Sequence, residues 1–382
     1  MDKNNIGFKK VCYVGSPPLF TKGASSIHVM KMCQAMRKLG IEVELVLPDH
    51  FRKADIYEYY GITEKFDIKF IPSTNLPGRQ VIHGIFASFY AYKHRKKFDV
   101  FLTRNIVFTY IVTVFMGLKT IYDAHHPLVN RIAHYMFGSF CKSDHLLRVS
   151  TNSGGLAEIY IKEGLDPGKI VVAHNGVELE KFESGKNRNL LRNELGLDRD
   201  RKIVCYCGNT YKGRGIEYMV EIAGMMSDIT FLIIGGLDND NEYYADLAKR
   251  KGAENFIIRG YVPHDTVSLY LLASDVLVIP YTSQMTIKGG TNAAAFTSPI
   301  KLFEYMAAGK PIVATSLPTV KEILTDGVDS LLVDPDSPDT LYNGIELVLN
   351  NSKLSEKLSQ NALSKVRDYT WEKRVEKILG NL

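Results

Sequence analysis

The run Ser298–Pro311, SPIKLFEYMAAGKP, carries complete helix punctuation. Ser298 suits an N-cap and Pro299 the first helical position. Gly309 suits the C-terminal stop, and Pro311 prevents continuation. The spacing predicts a helix of about ten residues whose first-turn amides form an anion site. Glu304 stands one turn in, on the side of Ile300. A carboxylate is acceptor-only with two oxygens, which suits the two hydroxyls of a ribose. Helix grammar equally allows a surface Glu304 paired with Lys301 at i−3.

Such a helix needs a scaffold, and short apolar runs alternate with helical stretches along the chain. The first half predicts strands at Val11–Gly15, Glu42–Leu47, Asp99–Thr103, Thr120–Tyr122, Leu146–Ser150 and Ile170–Ala173. The second predicts them at Ile203–Gly208, Thr230–Gly235, Asn255–Arg259, Asp275–Pro280, Pro311–Thr315 and Ser330–Val333. This alternation implies parallel sheets covered by helices on both faces. VCYVG at Val11–Gly15 returns as VCYCG at Val204–Gly208, each time before a Gly-containing loop and a helix. The charge-rich stretch Glu178–Lys202 reads as a linker. The expectation is an α/β chain with two Rossmann-like domains, 1–180 and 200–365, facing a cleft. A separate helix over 369–382 carries the only tryptophan, Trp371. Ligands in such sheets bind beyond the carboxyl ends of the strands.

Of 382 residues, 45% are hydrophobic and 23% charged, which excludes a disordered or collagen-like chain. The longest mainly apolar stretch, Ile106–Leu118, is too short for a membrane helix. MDKNNIGFKK has no apolar core or cleavage site, so no signal peptide is expected. Five cysteines fit a reducing compartment, and the expected location is cytoplasmic. Residues 1–190 hold 26 basic and 17 acidic residues, so the first half carries the positive charge and should meet something anionic.

The run SPIKLFEYMAAGKPIVATSLPTVKEIL resembles the signature segment of retaining glycosyltransferases of family 4, which have the GT-B fold. Five more segments resemble that family in its order: KGASSIHVMKMCQAMRKLGIEVEL, IYDAHHP, IVVAHNGVELEKF, VCYCGNTYKGRGIEYM and GYVPHDTVSLYLLASDVLVIPY. The resemblance implies that Gly23 lets backbone approach the donor phosphate and that His125 hydrogen-bonds a sugar hydroxyl. His126 beside it is the weaker candidate. It implies that Arg214 and Lys212 stabilise the leaving phosphate and that Ser298, Pro299 and Ile300 fall where backbone amides meet the diphosphate. Glu304 would hold the ribose, with Tyr261 and Val262 on the nucleobase side and Asn209 in the phosphate loop. The chain departs from the family at three points. Phe296 stands where a first glutamate is usual, leaving Thr291, Asn292 or loop backbone to read the sugar. Asn209 stands for an arginine, and Arg214 replaces a lysine while keeping its charge.

Several residues carry weaker signals. Asp238-Asn239-Asp240 matches an Asp-x-Asp metal pattern of glycosyltransferases of another fold, and here reads as a solvated loop. Cys205 and Cys207 read as packing residues in a strand. His28 reads as a neighbour of a helix cap, and His174, before Asn175-Gly176, as structural. In Gln80–Lys97 large apolar residues recur at helical spacing before a KHRKK run. That helix either packs its apolar face in the core or lies on an anionic membrane surface.

The expected function is retaining transfer of a sugar from a UDP- or GDP-type donor, held by the second domain. The acceptor, a glycan or lipid-linked hydroxyl, is held by the first domain. No metal or other cofactor and no nucleic acid is expected, and peripheral membrane contact through the basic first half is. The rival readings are a UDP-sugar 2-epimerase of the same fold and a noncatalytic nucleotide-sugar-binding protein.

Overall fold

The computed structural model describes residues 6–20, 23–49, 55–74, 76–183, 185–285 and 292–382. The chain divides into two units, Met1–Gly176 with Trp371–Leu382, and Val177–Thr370.

The first unit is built on seven parallel strands: β1 (Lys10–Val14), β2 (Glu42–Pro48), β3 (Asp67–Ile71), β4 (Val100–Thr103), β5 (Thr120–Ala124), β6 (Leu146–Thr151) and β7 (Ile170–Val172). They lie in the order β3-β2-β1-β4-β5-β6-β7. The second unit has six: β8 (Lys202–Cys207), β9 (Ile229–Ile234), β10 (Phe256–Gly260), β11 (Val276–Ile279), β12 (Ile312–Thr315) and β13 (Leu331–Val333). Their order is β10-β9-β8-β11-β12-β13. Strands β4, β5, β9, β11 and β12 are buried along their whole length, as strands of a sheet covered on both faces should be. Strand order reverses between β1 and β4 and between β8 and β11. In open α/β sheets the ligand crevice lies at such a reversal. Each unit therefore has a Rossmann-like sheet, and the chain has the two-domain GT-B type of fold.

Three differences from the sequence reading have physical causes. Strand β3, DIKFI, was not expected, because an edge strand can keep Asp67 and Lys69 facing outward and lacks a continuous apolar run. The 178–202 stretch is folded into the second unit rather than strung as a linker. Its helix Arg188–Glu194 buries Leu191 and Arg192. Arg192 Nη2 donates to Asp275 Oδ2 at 2.6 Å and its Nε to the Ala273 carbonyl. Lastly, Asp238 and Asp240 open the helix Asp238–Arg250 rather than lying in a loop; acidic residues suit its positive end.

The helix Trp371–Leu379 belongs to the first unit. It buries Trp371, Val375, Ile378 and Leu379. Arg148 on β6 donates to the carbonyls of Lys377, Ile378 and Gly380, satisfying the helix's C-terminal end. Among the described residues no helix is long and apolar enough to cross a membrane.

Candidate active site

In the first unit, the polar cluster forms at the carboxyl end of β5. Asp123 is the fourth residue of that strand, opposite Ser150 of β6. Its Oδ1 accepts from Ser150 Oγ and from Arg374 Nη2, each at 2.7 Å. His125 Nε2 donates to Asp123 Oδ2 at 3.0 Å. Because the carboxylate can only accept, this bond fixes the proton on Nε2 and leaves Nδ1 with its lone pair. Asn152 Nδ2 lies 3.5 Å from that Nδ1. Burial opposes the ionisation of Asp123, yet Arg374 and the two histidines hold its carboxyl well below the usual range. Burial, reinforced by Arg104, lowers His125 to about 3, so the imidazole is neutral.

His28 is not a cap neighbour. It sits in the second turn of the helix Ala24–Lys38, buried, with its ring 4.5 Å from that of His125 and 5.3 Å from Trp371. Burial and the neighbouring His125 hold it well below the ordinary histidine range. His28, Asp123 and His125 place three ligand atoms within 4.8 Å of one another, which is metal-ligand spacing. The chemistry of the set opposes a dication: Arg374 already neutralises the single carboxylate, and Arg104 adds positive charge nearby.

Gly23 is the N-cap of the same helix, with φ −92° and ψ 137°. Arg104, just after β4, reaches Ser25 in its first turn at 3.2 Å. A helix N-terminus beside a guanidinium is an anion site, and Arg104 escaped the sequence reading. His174 is structural as expected: its Nδ1 pairs with the Asn152 carbonyl at 3.0 Å. His126 is exposed, and its carbonyl accepts from Tyr160.

The second unit gathers a different set at the carboxyl ends of β8 and β11. The helix Ile300–Ala307 is capped at Pro299, with no side-chain cap bond, so Ser298 is one residue further out than expected. Its C-terminus follows the reading, with Gly309 at φ +59°. Tyr305 Oη accepts from the Cys207 amide at 2.7 Å and locks the helix onto the end of β8. Lys301 does not pair with Glu304. Its ammonium lies 3.8 Å from the ring centre of Tyr206 and 5.3 Å from that of Tyr281. Arg214 is buried, with its guanidinium 4.7 Å from the Tyr281 ring centre and Nη1 2.9 Å from Met285 Sδ. Burial works against ionising Tyr281, but Lys301 and Arg214 outweigh it and bring the hydroxyl below its usual range.

Two glycines make this packing possible. At Gly208 (φ +136°) an added Cβ would collide with Lys301 Nζ. At Gly215 (φ +70°) it would collide with the Pro280 carbonyl. Lys212 is exposed on the same loop, and Asn209 accepts from Tyr206 Oη through its carbonyl.

Glu304 is the partner of His264, Oε1 to Nε2 at 3.2 Å, and Lys181 lies 3.4 Å from the other ring nitrogen. His264 opens the helix that follows Tyr261 and Val262, so the nucleobase-side segment and the signature helix meet through this pair. Tyr261 is exposed and Val262 half-buried. Phe296 is buried, and Asn292 is used in its own loop, bonding the Ser283 carbonyl and the Ala294 amide. Thr291 lies outside the described residues. Cys205 and Cys207 are buried in β8, and burial raises both thiols.

Two family models match the chain: Glycosyltransferase Family 4 over residues 25–181 and Glycosyl transferases group 1 over residues 187–365. An uncharacterised glycosyltransferase of Methanocaldococcus jannaschii is 26% identical over 211 residues, 53% of this chain and 51% of the relative. The UDP-Gal:alpha-D-GlcNAc-diphosphoundecaprenol alpha-1,3-galactosyltransferase of Escherichia coli is 27% identical over 234 residues, 58% and 56% of the two chains. The chain spans about half the length of the curated relatives it matches. The structure of Anabaena HepE in complex with UDP superposes with a TM-score of 0.74 at 16% identity, covering 97% of this chain and 98% of that one.

Proposed function

The chain belongs to glycosyltransferase family 4, and on that premise we propose that it moves a sugar, with retention and without a metal ion, from a nucleoside-diphosphate donor to a hydroxyl of a glycan or lipid-linked acceptor. The observation that carries the proposal is the pair of cations, Lys301 and Arg214, held against Tyr206 and Tyr281 beside Gly208 at the strand-order reversal of the second unit. Positive charge on rigid elements at that position suits a diphosphate leaving group.

In this reading the second unit takes the donor and the first the acceptor. The bond from the anomeric carbon to the diphosphate breaks, and its electron pair leaves on the phosphate oxygen. Lys301, Arg214, the more exposed Lys212 and the first-turn amides of the helix Ile300–Ala307, from Ile300 onward, stabilise that charge. The acceptor oxygen bonds the same face of the anomeric carbon, and its proton passes to the departing phosphate. Glu304 holds the ribose hydroxyls in place of its contact with His264. His125 presents Nδ1 as an acceptor to a sugar hydroxyl, its orientation set by Asp123. The names of the E. coli relative and of the Anabaena complex favour UDP over GDP as the donor nucleotide. We place the reaction in the cytoplasm, at the inner face of the membrane, in cell-surface polysaccharide or glycolipid synthesis.

A thermal-shift panel with UDP, GDP, ADP and CMP, each with and without EDTA, tests this. Ligand at about 100 times its Kd adds about 2.7 kcal/mol. One winning nucleotide with an EDTA-independent shift is expected. No shift with any of the four, or a shift abolished by EDTA, overturns the donor site or its metal independence respectively.

A further inference from the structure

We propose that one face of the first unit, formed by the helix Arg79–Lys93 with its neighbours, docks on the surface of an anionic phospholipid bilayer. The argument begins with which side of that helix is buried. The inward face consists of His83, Gly84, Ala87, Ser88 and Ala91. The large apolar residues, Val81, Ile85, Phe86, Phe89 and Tyr92, are all exposed. At 100° per residue they fill an outward arc of roughly 140°. The amphipathic pattern is thus inverted, with small residues against the protein and aromatics toward the outside.

The helix cannot be turned to hide that face. An added Cβ at Gly84 would lie 2.7 Å from Asn105 Oδ1 and 3.1 Å from the Phe108 amide, so the small face seats the helix directly on the start of the next one. Asn105 Nδ2 also donates to the Gln80 carbonyl at 2.8 Å. Two neighbouring segments add to the surface. Phe115 is 68% exposed at the end of the turn Ile111–Phe115, and Tyr135 is 68% exposed on the helix Arg131–Phe140. Tyr110 links them, its ring 5.3 Å from Phe115 and 6.3 Å from Tyr135. Exposed apolar surface on this scale is uncommon in a soluble monomer and marks an interaction surface.

Charge selects the occupant. Residues 76–143 contain nine Lys and Arg and only two acids, Asp99 and Asp123. Asp123 is buried, and Asp99 is engaged by the Lys9 and Lys10 amides. Lys93, Arg95 and Lys96 are exposed at the end of the helix, where Arg95 stacks 4.3 Å over the Tyr92 ring. Aromatics flanked by exposed cations match the acyl boundary and negative headgroups of an anionic leaflet. Beyond this segment lie the exposed acids Asp144 and Glu163, and Glu163 is ion-paired with His134, so the cations prevail on this face and favour negative headgroups over a second protein's apolar patch.

This deepens the membrane-face part of the proposed function and rests on it there alone, independently of the donor site. The test is co-sedimentation with phosphatidylcholine vesicles containing about 30 mol% phosphatidylglycerol, against pure phosphatidylcholine, at about 0.1 M salt. Wild type is expected to bind the anionic vesicles at least about tenfold more tightly than the neutral ones. The variants F86S/F89S and R95E/K96E are each expected to weaken that binding by about tenfold or more, with an unchanged Tm. Wild type that stays with the supernatant overturns the proposal. So does an F86S/F89S protein that binds as wild type, or a self-associated wild type that these substitutions make monomeric without altering vesicle binding. The UDP thermal shift, measured on the same proteins, separates failure here from failure of the donor site.

Discussion

Arg374 donates to Asp123 across 251 positions of sequence, Nη2 to Oδ1 at 2.7 Å, with both side chains fully buried. The carboxylate in turn fixes the tautomer of His125. A residue of the C-terminal helix therefore sets the state of a side chain at the end of β5, through a single shared acceptor.

Removing one member of a buried pair leaves the other charge uncompensated, at about 3–5 kcal/mol. Arg374→Met is expected to destabilise by that amount, measured by denaturant unfolding. Arg374→Met with Asp123→Asn is expected to recover part of the loss. A single substitution that costs under about 1 kcal/mol would remove the pair from its structural role.

The neutral histidines give a pH signature. Burial lowers His125 to about 3 and His174 to about 4, and holds His28 well below its usual range. Above about pH 6.5 these groups are neutral in both the folded and unfolded chain. As the pH falls below that, the unfolded chain takes up protons that the folded one excludes, and stability drops by about 1.4 kcal/mol per pH unit for each histidine. Asp123, lowered by Arg374 and the histidines against its burial, adds a further loss only when the pH falls below about 3.8. Unfolding free energies from pH 7 to 4 should show this slope, and His28→Phe should make it shallower by one histidine.

Lys301→Met and Arg214→Met are each expected to lower turnover about 10²-fold with little loss of stability, the magnitude typical of one missing electrostatic donor. Steady-state rates beside unfolding midpoints decide it. Equal turnover in either variant would remove that cation from the leaving-group role.

Gly208→Ala tests the same site without touching a charge. Its Cβ would collide with Lys301 Nζ at a backbone angle that favours glycine. Nucleotide affinity should fall at least as far as in Lys301→Met, by about tenfold, read by titration calorimetry.

Glu304→Ala should weaken nucleotide binding by about 1.4 kcal/mol or more, while His264→Ala, which frees the carboxylate, should not. Unchanged affinity in Glu304→Ala would exclude the ribose contact.

Much of this architecture was legible in the chain because buried parallel strands need unbroken apolar runs: both β9 and β11 announce themselves in FLIIGG and DVLVIP. Local punctuation also fixed the signature helix to within a residue or two. What was not legible depends on distance or on orientation. His28, Asp123 and Arg374 meet only after the chain has closed on itself, and no local spacing encodes that. Lys301 and Glu304 lie three apart, which favours a pair, but the rings of Tyr206 and Tyr281 draw the ammonium to the other side. In the helix Arg79–Lys93 periodicity revealed the helix but not which face turns inward, because Gly84, Ala87, Ser88 and Ala91 repeat with the same period as the aromatics.

The helix Trp371–Leu379 packs with the first unit although the whole second unit separates it in sequence. A polypeptide leaving the ribosome therefore exposes His28, Asp123 and His125 long before the groups that complete their surroundings have been synthesised. Until Trp371 and Arg374 emerge, the Asp123 charge has no guanidinium to meet, so the first unit matures last although its strands are made first. Dissection of the molecule faces the same constraint: a gene fragment covering only residues 1–176 encodes an unfinished domain, and a workable one must carry residues 371–382 grafted onto it.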